Sequence, residues 1–157
     1  MTAYVKKFRD PKTIQVTPWN PSHKAIARVK NPLPVPDSCP YCGDQVEIKE
    51  NKVIFGRNTG AWPWIYQCAD DNCDAYVGMH PFTHIPLGTL ADQETRERRK
   101  AAKDQFNSLW QHGAMTRSKA YEWLAVQLGI PVDECHVGWS DINQCERIIA
   151  LCQARTA

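Results

Sequence analysis

Apolar and polar residues alternate along one part of this chain, and then the period changes. Val46 and Ile48 alternate with polar neighbours, as do Val53 and Phe55, and Trp64-Ile65-Tyr66 runs directly into Cys68. A period of two predicts short strands with one buried face. Glu50-Asn51 and Gly56-Arg57-Asn58-Thr59-Gly60 separate them as turns. Beyond Gly88 the period becomes helical. Ala102, Phe106, Leu109 and Trp110 fall on one helical face, and Arg96, Arg99 and Lys103 on another. Thr89 is the expected cap of this first helix, with Asp92 as its reciprocal partner, and Gly113 its end. Thr116 opens a second helix with the stripe Ala120, Tyr121, Leu124, Ala125 and Leu128, stopped by Gly129 and Pro131. A third helix starts at Ser140 or Asp141 and buries Ile142, Cys145, Ile148, Ile149 and Cys152.

Residues 1–38 carry neither period. Pro11, Pro18, Pro21, Pro32, Pro34 and Pro36 punctuate them, so they read as an irregular arm, with a short strand at most at Thr13-Ile14-Gln15-Val16. Trp19 is costly to leave in water, which predicts that the arm lies across the rest of the protein.

Two close cysteine pairs bracket the strand region: Cys39-Pro40-Tyr41-Cys42-Gly43 and Cys68-Ala69-Asp70-Asp71-Asn72-Cys73. Two such turns, brought together by a small antiparallel sheet, present four sulfurs to one tetrahedral zinc ion. Cys39, Cys42, Cys68 and Cys73 are therefore the expected ligands. A closed four-thiolate site leaves no coordination position for water, so it argues for structure and against catalysis by the metal. The expected architecture is α+β: a basic proline-rich arm (1–38), a zinc ribbon of three short antiparallel strands with its following loop (39–88), and a three-helix unit packed with it (89–157).

Competing readings of the same residues are weaker. Cys39-Pro40-Tyr41-Cys42 has the spacing of a redox pair, but the helix and parallel strands of such a fold are missing. His80 and His84 stand four apart, yet Pro81 and Pro86 argue for a loop and for hydrogen-bonded histidines. Cys135, His136 and Cys145 would need a fourth ligand to make a second metal site, and Cys145 and Cys152 already fit a buried helical stripe. The connection from Gly129 to Ser140 is too long for a helix-turn-helix. No phosphate loop, nucleophile elbow or His-Glu-x-x-His helix is present, so a non-enzymatic protein is expected. A nuclease built on His80 and His84 is the remote alternative.

Composition narrows the class. With 43% hydrophobic and 23% charged residues, the chain is neither disordered throughout nor membrane-spanning. Met1-Thr2-Ala3-Tyr4-Val5-Lys6-Lys7 lacks the apolar segment of a secretory signal, and seven cysteines with metal spacing fit a reducing cytoplasm. Net charge is only +2, but its distribution is uneven. Lys6, Lys7, Arg9, Lys12, Lys24, Arg28 and Lys30 face a single acid, Asp10, within residues 1–30, and Arg96, Arg98, Arg99, Lys100 and Lys103 form a second cluster. Basic surfaces of this kind attract phosphate backbones or acidic proteins, or are simply solvated. Phe55, Arg57, Trp62, Trp64 and Tyr66 add aromatic faces beside an arginine, which suits stacking with unpaired bases. Burial against the helices is expected for Trp64 or Tyr66, and Trp62 is the expected exposed ring.

Two resemblances add to this. Cys39-Pro40-Tyr41-Cys42-Gly43, Tyr66-Gln67-Cys68 and Cys73 are similar to the four-cysteine ribbons at the C-termini of type IA topoisomerases, which implies single-stranded DNA binding. Gly56-Arg57-Asn58, Cys73-Asp74-Ala75-Tyr76-Val77-Gly78-Met79-His80-Pro81 and Pro86-Leu87-Gly88-Thr89-Leu90-Ala91-Asp92 resemble a family of zinc-finger-containing proteins of phages and bacteria. So do Ala120-Tyr121-Glu122-Trp123-Leu124-Ala125 and Cys135-His136-Val137-Gly138-Trp139. That resemblance spans about residues 39–150 and implies zinc binding and a phage or mobile-element origin, without an activity. The expected function is binding of DNA or RNA, single strands favoured. The arm, Arg96, Arg99 and Lys103 would hold phosphates, and Arg57, Trp62 and Trp64 would contact bases. The alternative is a phage factor that binds and modulates a host enzyme or defence complex.

Overall fold

The computed structural model describes residues 15–156. It divides between Leu90 and Ala91 into two compact units, each with its own core.

The first unit is built on a three-stranded antiparallel sheet in the order β1 (Val46–Glu50), β2 (Trp64–Cys68), β3 (Tyr76–Gly78). Val46 pairs with Cys68 at one end of β1 and Glu50 with Trp64 at the other. The metal turns therefore lie at one pole of the sheet and the loop 51–63 at the opposite pole. In β1 the alternation is as expected, with Val46 and Ile48 half-buried between exposed Glu47 and Lys49. Their core partners are Cys39, Tyr66, Cys68, Ala75, Met79 and Leu90.

The second expected strand is absent. Lys52–Phe55 forms a single helical turn, α2, that leaves Val53 and Phe55 exposed. Asn51 is the reason. Its side chain donates to the Thr59 carbonyl (2.9 Å) and accepts from the Thr59 N–H (2.9 Å), pinching the loop shut. Gly56 then closes the turn at φ +79, which glycine adopts without strain. Tyr76–Gly78 supplies the third strand instead.

Residues 15–38 are less irregular than their prolines suggest. Ser22 caps a short helix, α1 (His23–Arg28), accepting from the Ala25 N–H. Thr13 and Ile14 of the expected short strand lie outside the described residues, as do Lys6, Lys7, Arg9 and Lys12, and Gln15-Val16 is not in a strand. Trp19 does pack on the sheet, meeting the Trp64 ring edge-on at 5.3 Å.

The second unit contains α3 (Gln93–Gln111), α4 (Arg117–Leu128) and α5 (Ile142–Thr156), with two 3-10 turns between α4 and α5. Its core holds most of the predicted stripes: Ala102, Phe106 and Leu109 from α3, Ala120, Leu124, Ala125 and Leu128 from α4, and Cys145, Ile148 and Cys152 from α5, with Trp110, Tyr121 and Ile149 half-buried against it. Ile142, expected to be buried, is half-buried at the first position of α5. Thr116 caps α4, and Asp141 accepts from the Gln144 N–H at the start of α5. The cap of α3 is Asp92, not Thr89. Asp92 accepts from the Thr95 N–H at 2.9 Å. Residues 87–90 are already committed to the ribbon, where Leu87 donates to the Gly78 carbonyl and Leu90 sits in the core.

Candidate metal centre

Each cysteine pair is shaped by its own turn. In the first, the Gly43 N–H donates to the Cys39 carbonyl (2.9 Å) and the Cys39 N–H to the Asp44 carbonyl (2.8 Å), with Gly43 in the left-handed region at φ +79. In the second, the Cys68 N–H donates to the Ala75 carbonyl, the Cys73 N–H to the Asp70 carbonyl, and the Asn72 N–H to the Asp70 side chain. The Ala69 N–H, donating to the Gln45 carbonyl at 2.8 Å, ties the two turns together.

The four sulfurs converge. Cys39 Sγ lies 3.7 Å from Cys73 Sγ, and Cys42 Sγ 3.4 Å from Cys68 Sγ. All four lie within 4.8 Å of one another. A tetrahedron with metal–sulfur bonds of about 2.3 Å has edges of about 3.8 Å, so this donor set fits a four-coordinate metal. Cys39 and Cys68 are buried, Cys73 is half-buried and Cys42 is exposed. Burial raises the Cys39 thiol, but the N–H groups of Cys42 and Tyr41 and the neighbouring thiols outweigh it, leaving Cys39 below its ordinary range. Burial pushes Cys68 well above it. Four thiolates this close would repel one another, and a bound cation offsets that repulsion.

Residues 35–155 match the zinc-finger-containing domain DUF3268. The chain belongs to that family. No curated protein and no solved structure matches it. In this DUF3268 chain the four clustered cysteines are the group that could hold the metal of a zinc finger. They are the only cluster of three or more His, Cys, Asp or Glu side chains able to hold a metal ion among the described residues.

The remaining candidates are scattered by the fold. His80 and His84 lie in the loop after β3, where the His84 carbonyl accepts from Tyr66 Oη and the His80 carbonyl from Thr83. Cys135 and Cys145 are core residues of the helical unit, and His136 stacks on Trp139 with ring centroids 4.2 Å apart. Tyr66 is buried inside the ribbon's own core, and burial raises its hydroxyl to about 12.

The expected nucleic-acid contacts separate into two kinds. Arg57 and Lys103 are exposed. Trp62, expected to be the free ring, is half-buried: its Nε1 donates to the Thr83 carbonyl at 3.1 Å and its ring leans on Phe82. Trp64 is half-buried against Trp19. Arg96 donates to the Ala91 carbonyl at 2.6 Å, and Arg99 to the Ser140 carbonyl at 2.8 Å. These two arginines brace the helical unit, because a buried carbonyl without a donor is costly. No described helix is long and apolar enough to cross a membrane.

Proposed function

We propose that the protein is a zinc-loaded, non-enzymatic nucleic-acid-binding protein that favours single strands. Four thiolates with near-tetrahedral edges are the donor set that zinc prefers, and a closed set serves folding rather than chemistry at the metal. The observation that carries the binding reading is the segregation of charge. Residues 1–30 hold seven basic residues and one acid, whereas residues 31–90 hold three basic and seven acidic, and residues 91–157 balance nine against nine. Positive charge gathered at one end of an otherwise neutral or acidic chain provides a local field for phosphates without making the molecule a polycation. Within the described part of that segment, Lys24, Arg28 and Lys30 are exposed and follow directly on Trp19, which anchors it to the sheet.

A salt titration of binding to labelled single- and double-stranded DNA and RNA tests this. Submicromolar binding at low salt is expected, with log K falling by about 0.7 per phosphate contact on single strands. Neutralising Lys24 and Arg28 together should flatten that slope by about 1.4. Absence of binding at low salt would overturn the reading.

One observation favours the second reading, a protein-interaction factor acting on a host enzyme or defence complex. Val126 on α4 is 75% exposed, and Val132 just beyond the helix is 52% exposed. Apolar side chains held out on an ordered helical unit suit a protein partner. Co-purification that survives nuclease treatment distinguishes this from the first reading.

A further inference from the structure

The pole of the sheet opposite the metal collects features that the metal does not need. Loop 51–63 joins Glu50 to Trp64 across that pole and displays Phe55 and Arg57. Phe55 is 53% exposed, yet the loop beneath it is tightly ordered. Asn51 clamps Thr59 through hydrogen bonds in both directions, and Asn58 accepts from the Lys52 N–H while donating to Glu50. The acid beside this loop, Glu50, is paired with Lys52 at 3.1 Å.

A second ring stands at the same pole. Phe82 packs on Trp62, a residue of that loop, with ring centroids 5.3 Å apart, and still remains 44% exposed. Its φ is +64, a left-handed conformation that a bulky side chain disfavours and that glycine would accept freely. Thr83 holds it there through bonds to His80 and Ile85. The strain is not explained by burial, because much of the ring faces solvent. Strained, ordered and exposed residues concentrate at functional sites.

The Phe82 carbonyl in turn accepts from the Ser22 N–H at 2.9 Å. Ser22 caps α1, so the helix that carries Lys24 and Arg28 starts at this pole. Those two cations are four residues apart, on one exposed face. The acids Asp44, Asp70, Asp71 and Asp74 lie in or beside the cysteine turns, at the opposite pole.

The geometry points to a single-stranded nucleic-acid platform at the pole away from the metal. Phe55 and Phe82 are its stacking surfaces, and Arg57, Lys24 and Arg28 its phosphate contacts. This rests on the nucleic-acid reading above and says where on the protein binding takes place. Unpaired bases fit because a flat ring accepts any base face, and because cations beside the rings track the backbone. A duplex hides its base faces and would gain only from the cations.

The test is fluorescence anisotropy of labelled oligodeoxythymidine, about 15 nucleotides long, against the metal-loaded full chain. Phe55→Ala should weaken binding roughly 5- to 100-fold, and Phe55→Trp should retain it. Phe55 is exposed, so metal content and circular dichroism should match the wild type. Phe82→Asn, which tolerates the left-handed backbone, should weaken binding in the same way. Wild-type affinity in Phe55→Ala would overturn the platform while leaving nucleic-acid binding intact. A wild-type protein that binds no oligonucleotide at low salt would withdraw both readings and leave the pole to a protein partner.

Discussion

Cys135, Cys145 and Cys152 lie in the core of the helical unit, and burial pushes each thiol above its ordinary range, Cys152 to about 11. A buried thiol is held neutral because its thiolate would lose hydration without a metal in exchange. The folded value is above the unfolded one. The stabilisation is therefore complete below about pH 9 and is lost as pH rises through about 11. Thermal unfolding followed at the helical signal between pH 8 and 11 should show this decline, and Cys152→Ala should flatten part of it. Cys135 and Cys145 keep the rest. The contrast with Cys39, Cys42, Cys68 and Cys73 is legible from spacing alone, because paired cysteines on turns and single cysteines in apolar helical stripes serve different ends. Whether Trp62 or Phe55 faces water is not legible in that way. Both are aromatic residues beside strand-like segments, and only the Trp62 Nε1 bond to Thr83 and the clamp by Asn51 separate them.

At the scale of elements, periodicity locates the helices well and their borders less well. The stripes of α3, α4 and α5 recur in the core because a helix with one apolar face has one way to bury it. The start of α3 depends on what the preceding residues are doing. Thr89 and Asp92 are both good caps by composition, and the ribbon's claim on Leu87 and Leu90 decides between them. Asp92→Ala should therefore cost the helical unit about 1 kcal/mol. Denaturant unfolding of this variant against the wild type measures the difference. The turn at Lys52–Phe55 shows the limit of a short alternation. Val53 and Phe55 fit a strand of two apolar positions equally well, and a side-chain hydrogen bond from Asn51 outweighs so weak a preference.

At the scale of the whole molecule, the two units have different sources of stability. The helical unit buries Phe106, Leu124, Ile148 and their neighbours in a core of its own. The ribbon's core is small and includes two of the four clustered cysteines, Cys39 and Cys68. Structural zinc contributes about 10–16 kcal/mol at neutral pH, comparable with the whole stability of an ordinary domain. Chelation should accordingly unfold the ribbon, seen as a red shift from Trp19, Trp62 and Trp64, while most of the helical circular dichroism persists. Loss of the helical signal in parallel with the ribbon would show that the helical core is insufficient.

The sequence by itself determined which four cysteines cluster, the strand that leads into Cys68, the three helical stripes and the gathering of positive charge in residues 1–30. Each of these is local or periodic, so spacing along the chain carries it. Only the tertiary structure decided which cations and rings face outward. Arg96 and Arg99 turn inward to carbonyls, Trp62 and Trp64 are covered by Phe82 and Trp19, and Phe55 and Phe82 stand exposed at one pole with Arg57. Exposure depends on contacts between residues distant in sequence, and no pattern of nearest neighbours encodes it.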